Sequence, residues 1–336
     1  MTASAPAPLA FRALRLLSDG DFHSGEALAR ALGVSRTTVW KALQGLEALG
    51  VTLFKVHGRG YRLVTPVDWL DAAQVRRHLG AHTETFQVHV IDAVDSTNTL
   101  LLAEALAGAP SGLALAAEVQ TGGRGRRGHR WHSGLGGGLT FSVLWRFEQG
   151  VGRLGGLSLA ASVALVRALR ELGGDEVQLK WPNDLLYRYQ KLGGVLSELE
   201  GDVMGPSAAV IGIGVNLHVD PAVRQRIDQA VTDLAAAGVR QDRNRVLGTL
   251  LRHLADALEL FAARGFGPLK DEWMRYDALA GRAVAVIMPD RTEHAGIAAG
   301  VADDGALQLQ TTAGLRRFHS GELSLRPLEG GLRRAG

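Results

Sequence analysis

The sequence predicts an α/β fold, in which helices pack on a mixed sheet, flanked by a smaller helical domain and a smaller β domain. Three observations predict it. From residue 67 to about residue 270, apolar strand-like runs alternate with amphipathic helical runs. The residues before this region combine two closely joined helices with two short strands, and those after Gly281 form only short strand-like runs. The expected domains are residues 1–66, 67–276 and 277–330.

The composition is that of a globular protein with a core of its own. The chain has 336 residues, 46% of them hydrophobic, and no apolar run approaches the ~20 residues that a membrane span needs. The absence of cysteine excludes disulfides and thiolate zinc sites. The opening MTASAPAP lacks the pattern of a signal peptide, and we expect short disordered tails there and in the terminal GGLRRAG. These features predict a cytoplasmic protein with no membrane partner.

Positive charge is concentrated at the N-terminal end of the chain. The formal net charge of the whole chain is only +3, but residues 1–66 hold eight Arg and Lys against four Asp and Glu. Such an asymmetry favours nucleic acid as a partner of this end.

The N-terminal elements have the spacing of a winged helix-turn-helix domain. Ser24 and Ser35 are the expected N-caps of two helices, and Gly33 ends the first of them. Because only a short turn separates the two helices, they form a helix-turn-helix candidate. The expected elements are helices over 9–17, 25–32 and 36–49, followed by the two strands of a wing over 51–56 and 60–64.

The second helix of the pair is the expected DNA-reading helix. An ordinary helical hairpin gives the same pattern, but the wing and the local positive charge favour DNA binding. The start of the helix would meet base edges in the major groove, while basic side chains of the wing, Lys55 and Arg59, contact phosphates. Trp40 is expected to pack inward. The predicted DNA-binding residues are Ser35, Arg36, Thr37, Thr38, Lys41 and Arg59.

Apolar and amphipathic runs assign the remaining elements. In the last domain, Asp-Asp-Gly and Ala-Gly turns separate short strands, which predicts a small antiparallel, barrel-like module. The expected central strands are 86–93, 113–119, 139–147, 176–181, 193–199 and 208–217. The expected helices are 97–107, 153–172, 221–236 and 243–263, and the strands of the last domain are 282–288, 293–301, 306–310 and 316–319.

An arginine- and glycine-rich loop is the strongest candidate for a binding site. Residues 122–130 contain four arginines and four glycines, directly after a predicted strand. Glycine lets backbone N–H groups approach a ligand closely, and arginine supplies forked donors for phosphate or carboxylate. We expect a mobile loop that closes on an anionic ligand, and a basic surface loop without a ligand is the alternative.

This loop does not predict a dinucleotide-binding fold. Gly123, Gly125 and Gly128 match the spacing of that fingerprint, but the fingerprint requires a helix to begin in the loop. The residues that follow, HRWHSGLGGG, cannot be helical, and a strand comes next. No Gly-Lys-Ser/Thr sequence closes a phosphate-binding P-loop either.

Two lysines flank a predicted hairpin. Lys180 precedes the turn Trp-Pro-Asn-Asp, and Lys191 opens the following strand. A hairpin alone explains Pro182, but two lysines with an acid between them indicate a site. Lysine can meet both a carboxylate and a phosphoryl oxygen where an anhydride forms. Asp184 would position a lysine or hold a divalent ion.

Two further segments carry polar side chains at the ends of strands. Ser96, Thr97 and Asn98 lie between a strand and a helix, where they cap the helix or bind a small polar head group. The strand that ends near Asn216 contains two glycines, which is typical of a strand that a ligand or another backbone approaches closely.

Taken in order, these motifs resemble the bacterial biotin–protein ligases that also act as biotin operon repressors. The resemblance covers almost the whole chain, and it implies a winged-helix domain, a mixed-sheet ligase core and an SH3-like C-terminal β-barrel. The matching stretches are FHSGEALARALGVSR, VIDAVDSTN, QTGGRGRRGHRW, QLKWPNDLL, KLGGVLSELEG and IGIGVNL.

The resemblance also implies a reaction and its partners. Biotin would be activated by ATP, with Mg²⁺, to biotinyl-5′-AMP and joined to a lysine of the biotin carboxyl carrier protein of acetyl-CoA carboxylase. The further partners implied are operator DNA and, for the adenylate-bound form, a second copy of the chain. The implied catalytic residues are Lys191, Arg126 and Lys180. The implied biotin- and adenylate-binding residues are Ser96, Thr97, Asn98, Gln120, Arg124, Gly125, Arg126, Asn183, Asp184, Lys191 and Asn216.

One position departs from the family pattern, and two alternative functions stay open. Gly138 stands where the family usually has asparagine, so a polar contact is expected to be missing or replaced. The alternatives are a ligase whose winged helix no longer regulates, and a biotin-sensing transcription factor without catalysis. The second is disfavoured by the retained Arg124, Arg126, Lys180 and Lys191, because a sensor does not need a lysine at a reacting centre.

Overall fold

The fold comes from a computed structural model that describes residues 8–46, 51–64, 66–219, 224, 229–288, 292–319 and 324–327. Apart from Pro8, the two predicted tails lie outside these residues.

The N-terminal domain is a three-helix unit with a two-stranded wing. As predicted, Ser24 caps its helix by accepting from the amide of Ala27 at 3.0 Å, and Gly33 ends that helix in the left-handed region at φ 68°. The α-helical part of the predicted DNA-reading helix ends at Gln44, whereas the prediction runs to residue 49, and residues 47–49 lie outside the described part. The elements are α1 Pro8–Leu16, α2 Gly25–Leu32, α3 Arg36–Gln44, β1 Leu53–Val56 and β2 Gly60–Leu63.

The central domain is built on a mixed sheet of seven strands in the order β3-β4-β5-β9-β8-β7-β6. The pair β3–β4 is parallel and the remaining pairs are antiparallel, which confirms the predicted mixed sheet. The strands are β3 Gln87–Val94, β4 Leu113–Gln120, β5 Gly138–Phe147, β6 Gln178–Lys180, β7 Asp184–Tyr187, β8 Gln190–Gly201 and β9 Ser207–Asn216.

Helices cover the two faces of this sheet unequally. Two long helices, α6 and α7, share one core cluster with the odd-numbered residues of β5 and β9, and a full side chain buried there contributes about 1.5–3 kcal/mol. Helix α5 packs on the opposite face, where its Leu101 and Ala105 meet Leu144 and Val210. The helices are α4 Ala72–Arg76, α5 Thr97–Leu106, α6 Leu157–Glu171, α7 Arg243–Arg264 and α8 Gly267–Tyr276.

The C-terminal domain is a small antiparallel sheet in the order β13-β12-β11-β10-β14. The antiparallel module is confirmed, but no ladder joins β13 to β14 within the described residues, so the structure does not show the predicted barrel as closed. The strands are β10 Ala283–Ile287, β11 Glu293–Val301, β12 Leu307–Thr311, β13 Gly314–Phe318 and β14 Ser324–Pro327.

The N-terminal domain packs against the central one through the segment that links them. The ring of Trp69 meets Phe11 edge to face at 6.4 Å, and its Nε1 donates to Ser18 Oγ at 2.6 Å. Arg15 of α1 lies 2.6 Å from the carboxylate of Asp92 in β3. The linker therefore lies on the protein rather than spanning free solvent.

The predicted helix over 221–236 is wrong for residues 229–236, whereas Arg224, the other described residue of this range, is helical. Residues 229–236 run as an extended segment and a turn, and Val231 forms a parallel bridge with Lys191. The apolar spacing of this segment belongs to buried contacts of Val231 and Leu234 rather than to one face of a helix. Residues 221–223 and 225–228 lie outside the described part.

Among the helices that the structure describes, none is long and apolar enough to cross a membrane.

Candidate active site

A cavity of about 640 Å³ opens on the sheet face opposite α6 and α7. Successive residues of a strand point to opposite faces, so the even-numbered Gly212, Gly214 and Asn216 of β9 face this cavity while their neighbours fill the core. All the residues predicted for catalysis and for biotin or adenylate binding line it: Ser96, Thr97, Asn98, Gln120, Arg124, Gly125, Arg126, Lys180, Asn183, Asp184, Lys191 and Asn216.

The charge of the cavity suits an anionic ligand. Among the described residues that line it, Asp184 is the only carboxylate, whereas six are cationic. Such an excess of one sign raises the local concentration of the opposite charge. The cationic residues are Arg124, Arg126, Arg127, Arg130, Lys180 and Lys191.

A lysine–aspartate cluster lies at the base of this cavity. The β6–β7 hairpin pairs Lys180 with Asp184, and β8 brings in Lys191 beside them. Asp184 Oδ1 lies 2.7 Å from the Nζ of Lys191, and its Oδ2 lies 3.6 Å from the Nζ of Lys180. Two ammonium groups around one carboxylate leave a net positive charge in a half-buried position. Asp184 therefore positions the lysines, as one of its two predicted roles requires.

The arginine-rich loop folds as a small hairpin against the cavity. The amide of Gly125 donates to the carbonyl of His129 at 2.7 Å, and Arg124 forms an antiparallel bridge with Arg130. Within the hairpin, Arg127 adopts a left-handed conformation at φ 56°. The structure therefore shows one ordered arrangement of the loop, and its closure on a ligand stays a prediction.

Arg126 and Arg124 reach into the cavity from this hairpin. Arg126 donates to Asn183 Oδ1 at 3.4 Å. Burial lowers the pKa of the Arg126 guanidinium, the charge of Arg127 lowers it further, and Asp184 opposes both effects. Arg124 lies 2.5 Å from Glu198 Oε2. Arg126 is thus half-buried near the lysine cluster, and Arg124 is held at the rim by a carboxylate.

A buried hydrogen-bond network joins the start of α5 to the sheet. Thr97 donates its backbone N–H to Gln120 Oε1 at 2.7 Å, and its hydroxyl lies 2.6 Å from Ser142 Oγ. Ser142 in turn donates to Asn98 Oδ1 at 2.5 Å. Such a network fixes each polar side chain in one orientation, which gives the cavity a preformed polar end.

Ser142 and Glu198 are site residues that the sequence reasoning missed. Glu198 accepts from the side-chain Nδ2 of Asn98 at 2.8 Å and also pairs with Arg124, so it links the polar end to the arginine loop. Ser142 and Glu198 are themselves polar residues within largely apolar strand runs. This was the available signal, since a buried polar group needs a hydrogen-bond partner.

The glycines of β9 make room for side chains rather than for backbone. A Cβ on Gly212 would lie 2.1 Å from Asn98 Oδ1, and one on Gly214 would lie 2.4 Å from a ring atom of Trp131. Within the described residues, the indole N–H of Trp131 is buried without an acceptor. A buried donor of this kind at the cavity wall is available to a ligand.

Asn216 and Ser96 serve the frame of the site. Asn216 Nδ2 donates to the carbonyl of Thr232 at 2.9 Å, which holds the segment beside Lys191 in place. Ser96 caps α5 by accepting from the amide of Thr99 at 3.4 Å. Both line the cavity, so a ligand contact by either stays a prediction.

Gly138 fits a crowded position next to the site. A Cβ there would lie 3.0 Å from the Cβ of Ser133 and 3.3 Å from the carbonyl of Val215, so asparagine requires a shift of Ser133. The carbonyl of Gly138 accepts from Arg243, which also pairs with Glu118 at 2.7 Å inside the protein. The polar neighbour of this position is therefore a buried ion pair.

The predicted DNA-binding residues occupy one end of the N-terminal domain. Arg36, Thr37 and Lys41 are exposed on α3, and Lys55 and Arg59 are exposed on the wing. Ser35 and Thr38 are committed to each other, because Ser35 Oγ accepts from the amide of Thr38 at 3.1 Å and lies 2.8 Å from its hydroxyl. The expectation that Trp40 packs inward is wrong: it is 48% exposed.

Comparisons with known proteins match all three parts of the chain. Residues 90–216 match the Biotin/lipoate A/B protein ligase family, residues 10–62 match the HTH domain, and residues 280–326 match the Biotin protein ligase C terminal domain.

Two relatives and one solved structure are similar over most of their length. The chain is 39% identical to the Bifunctional ligase/repressor BirA of Escherichia coli (strain K12), over 94% of this chain and 97% of that protein. It is 32% identical to the protein of the same name from Bacillus subtilis (strain 168), over 91% of this chain and 94% of that protein. The biotin protein ligase from Aquifex aeolicus, solved in complex with biotin and ATP, matches with a TM-score of 0.61 at 29% identity, over 72% of this chain and 99% of that one.

Proposed function

We propose that this chain, which belongs to the family of bifunctional biotin–protein ligases and biotin operon repressors, carries out both activities of that family. It activates biotin with ATP to biotinyl-5′-AMP and transfers the biotinyl group to a lysine of the biotin carboxyl carrier protein of acetyl-CoA carboxylase. It also represses biotin synthesis genes in response to biotin. The observation that carries the ligase activity is the convergence of all the predicted ligand-binding residues on one cationic cavity.

The first step joins two anions, and the lysine cluster suits it. A carboxylate oxygen of biotin attacks the α-phosphorus of ATP, an O–P bond forms, and pyrophosphate leaves with the electrons of the broken P–O bond. Lys191 and Lys180, held by Asp184, offset the charge that both reactants bring and that develops at the phosphorus. Positioning and charge stabilisation are the main demands of phosphoryl-type transfer on a protein.

The second step moves the biotinyl group to the acceptor lysine. The neutral amine attacks the carbonyl carbon of the mixed anhydride, an amide forms, AMP leaves and the amine loses a proton. The arginine hairpin acts here as a lid, because Arg126 and Trp131 lie against the cavity and exclude water from the anhydride. The polar end formed by Thr97, Asn98 and Gln120 holds the ureido ring of biotin.

Mg²⁺ enters this site with ATP. Within the described residues, no group of three His, Asp or Glu side chains is arranged to hold a metal ion. Asp184 is the one described carboxylate that lines the cavity, and magnesium is commonly held by one or two carboxylates together with substrate phosphates. Asp184 would offer the ion its Oδ2, in place of the longer contact with Lys180, and the charge of the ion would offset that of the phosphates.

Repression follows from the N-terminal domain and from a ligand-dependent dimer. The helix-turn-helix and wing carry the positive charge of the first 66 residues, which suits DNA phosphates. Adenylate binding would order the loops beside the sheet and favour a homodimer, so that the intermediate of catalysis also reports biotin supply. A protein with this pair of activities works where ATP and DNA are, in the cytoplasm.

Two measurements test this proposal. With biotin, ATP and Mg²⁺, the protein is expected to release pyrophosphate, and no release above the rate without biotin would exclude the ligase activity. DNA footprinting upstream of biotin synthesis genes, with and without biotinyl-5′-AMP, is expected to show adenylate-dependent protection. Pyrophosphate release without any protection would leave a monofunctional ligase.

A further inference from the structure

The recognition helix α3 presents a large aromatic side chain to solvent. Trp40 is 48% exposed, whereas Val39 and Leu43, one helical turn apart, are buried in the core of the N-terminal domain. Because successive residues of an α-helix are about 100° apart, Trp40 lies about 80° from the middle of this buried face, at its flank, and half of its side chain reaches solvent. Tryptophan is enriched at interfaces, because its ring is apolar and its N–H is polar, so an indole exposed in this way is available to a partner.

The surroundings of Trp40 identify the chemistry of that partner. Arg36 precedes it by one helical turn and Thr37 by three residues, so both are its neighbours on the exposed face, and Lys41 follows it directly. The two cations of α3 complement a polyanion, and the aromatic side chain between them complements an apolar group in the groove of that polyanion. Double-stranded DNA has both properties.

Three other candidates for base contact at the start of this helix are less available. Ser35 Oγ accepts from the backbone amide of Thr38 at 3.1 Å as the N-cap of α3, and it lies 2.8 Å from the hydroxyl of Thr38. The stem of Arg36 packs near the start of α2, where a Cβ on Gly25 would lie 3.4 Å from it. The side chain of Trp40 is the largest on the exposed face of α3.

We propose that Trp40 reads the operator by contact of its indole with the C5-methyl group of a thymine in the major groove. The thymine methyl is the one apolar group that the major groove presents, and apolar side chains recognise it. This inference rests on the proposed DNA binding and adds the base that the exposed face of α3 selects. Arg36 and Lys41 place the helix through phosphates, and Trp40 supplies sequence preference.

The test uses the full-length protein and a duplex that it selects itself. The duplex is enriched from a random-sequence library with biotin, ATP and Mg²⁺ present, and its thymines are then replaced one at a time by deoxyuridine, which removes only the methyl group. The affinity of the wild-type protein is expected to fall about four-fold at one thymine of each half-site, the effect of one apolar carbon. Trp40→Ala is expected to bind the unmodified duplex about ten-fold more weakly and to lose this uridine effect.

Two further variants separate base reading from general damage. Trp40→Phe retains an aromatic side chain and is expected to restore part of the uridine effect. Leu315→Ala removes an apolar side chain of similar exposure, 54%, from the C-terminal domain and is expected to leave DNA affinity unchanged. Biotin-dependent pyrophosphate release by all four proteins confirms that the central domain is folded, and an unchanged far-UV circular dichroism spectrum confirms the helices of the N-terminal domain.

The results distinguish failure of this inference from failure of the proposed function. If the wild-type protein selects no duplex over random DNA, DNA binding and the role of Trp40 both fall. If it selects a duplex, but Trp40→Ala keeps the wild-type uridine profile, only the role of Trp40 is overturned. A Trp40→Ala protein that loses its dimer and keeps the uridine profile would assign this side chain to contact between copies, which also overturns the inference.

Discussion

The ammonium of Lys191 lies closest to the only carboxylate that the structure describes at the cavity wall, and its removal tests the proposed chemistry at the scale of one residue. Lys191→Ala is expected to lower the rate of pyrophosphate release by about 10²–10³-fold, because a preorganised positive charge at the reacting atoms is lost. Lys270→Ala is the matched control, since Lys270 pairs with Asp303 on the surface. A Lys191→Ala enzyme within two-fold of wild type would remove this residue from the mechanism.

Gly212 tests the polar end of the cavity. Gly212→Ala places a methyl group 2.1 Å from the present position of Asn98 Oδ1, so Asn98 must move and its bonds to Ser142 and Glu198 are disturbed. The KM for biotin is expected to rise at least ten-fold, with a smaller change in the KM for ATP. Gly267→Ala is the control, because a Cβ there meets nothing within 4 Å. Equal changes in both KM values would show that Asn98 does not serve biotin.

At the residue level, the motifs predicted the members of the cavity but not the contacts between them. The motifs placed Arg124 and Asn98 in one site. Glu198, which binds both, lies in the matching stretch KLGGVLSELEG, where only Lys191 was assigned a role. Trp40 was misjudged because tryptophan is usually buried and because it lies beside the apolar positions Val39 and Leu43. Pairings between distant strands set the first result. The second depends on how far the neighbouring elements reach around α3, since helical phase places Trp40 at the edge of the buried face.

At the scale of elements, the arginine hairpin is the part whose function depends most on its position. Arg126→Gly is expected to leave the sheet intact but to let biotinyl-5′-AMP leave the site, because the loop loses a half-buried cation that meets the anhydride. The measurement is the fraction of adenylate that stays with the protein through gel filtration. Arg126→Lys keeps the positive charge and is expected to retain more of it. Equal retention by wild type and Arg126→Gly would contradict the role of the hairpin as a lid.

The strands were easier to predict than the segment over 221–236. Strand β9 was predicted to within a residue at each end, because its apolar run is continuous and bounded by polar residues. The described residues 229–236 have apolar residues at helical intervals, but they are held by a bridge to Lys191 and by the side chain of Asn216. The apolar spacing within a segment carries no information on contacts with strands that lie about 15 to 40 residues away in the sequence.

At the scale of the whole molecule, Asp277 lies where the central domain meets the C-terminal domain, and its carboxyl makes the free energy of unfolding depend on pH. It is buried beside β6, and burial raises its pKa to about 6, against a smaller lowering by the amide of Leu279. The folded protein therefore binds a proton that the unfolded chain has lost between about pH 4 and pH 6. The contribution of this group to the free energy of unfolding decreases as the pH rises through that range and stays reduced above it.

Asp277→Asn removes this dependence. The variant is expected to gain stability over wild type as the pH rises, by about 2 kcal/mol between pH 4.5 and pH 7.5, because asparagine needs no proton to stay neutral. Urea denaturation at the two pH values measures the difference between the two proteins. Asp271→Asn, an exposed change on α8, is the control and is expected to show no such trend. A gain that shrinks with rising pH would contradict the assigned direction of the pKa shift.

Transfer of biotin to an acceptor lysine tests the central claim most directly, because it requires the cavity, the loop and the docking of a carrier protein together. The protein is incubated with biotin, ATP, Mg²⁺ and a biotin carboxyl carrier domain, and intact mass spectrometry follows the carrier. The expected result is the mass gain of one biotinyl group on one lysine, which is lost when biotin or ATP is omitted and strongly reduced for Lys191→Ala. A carrier that keeps its original mass with all components present would contradict it.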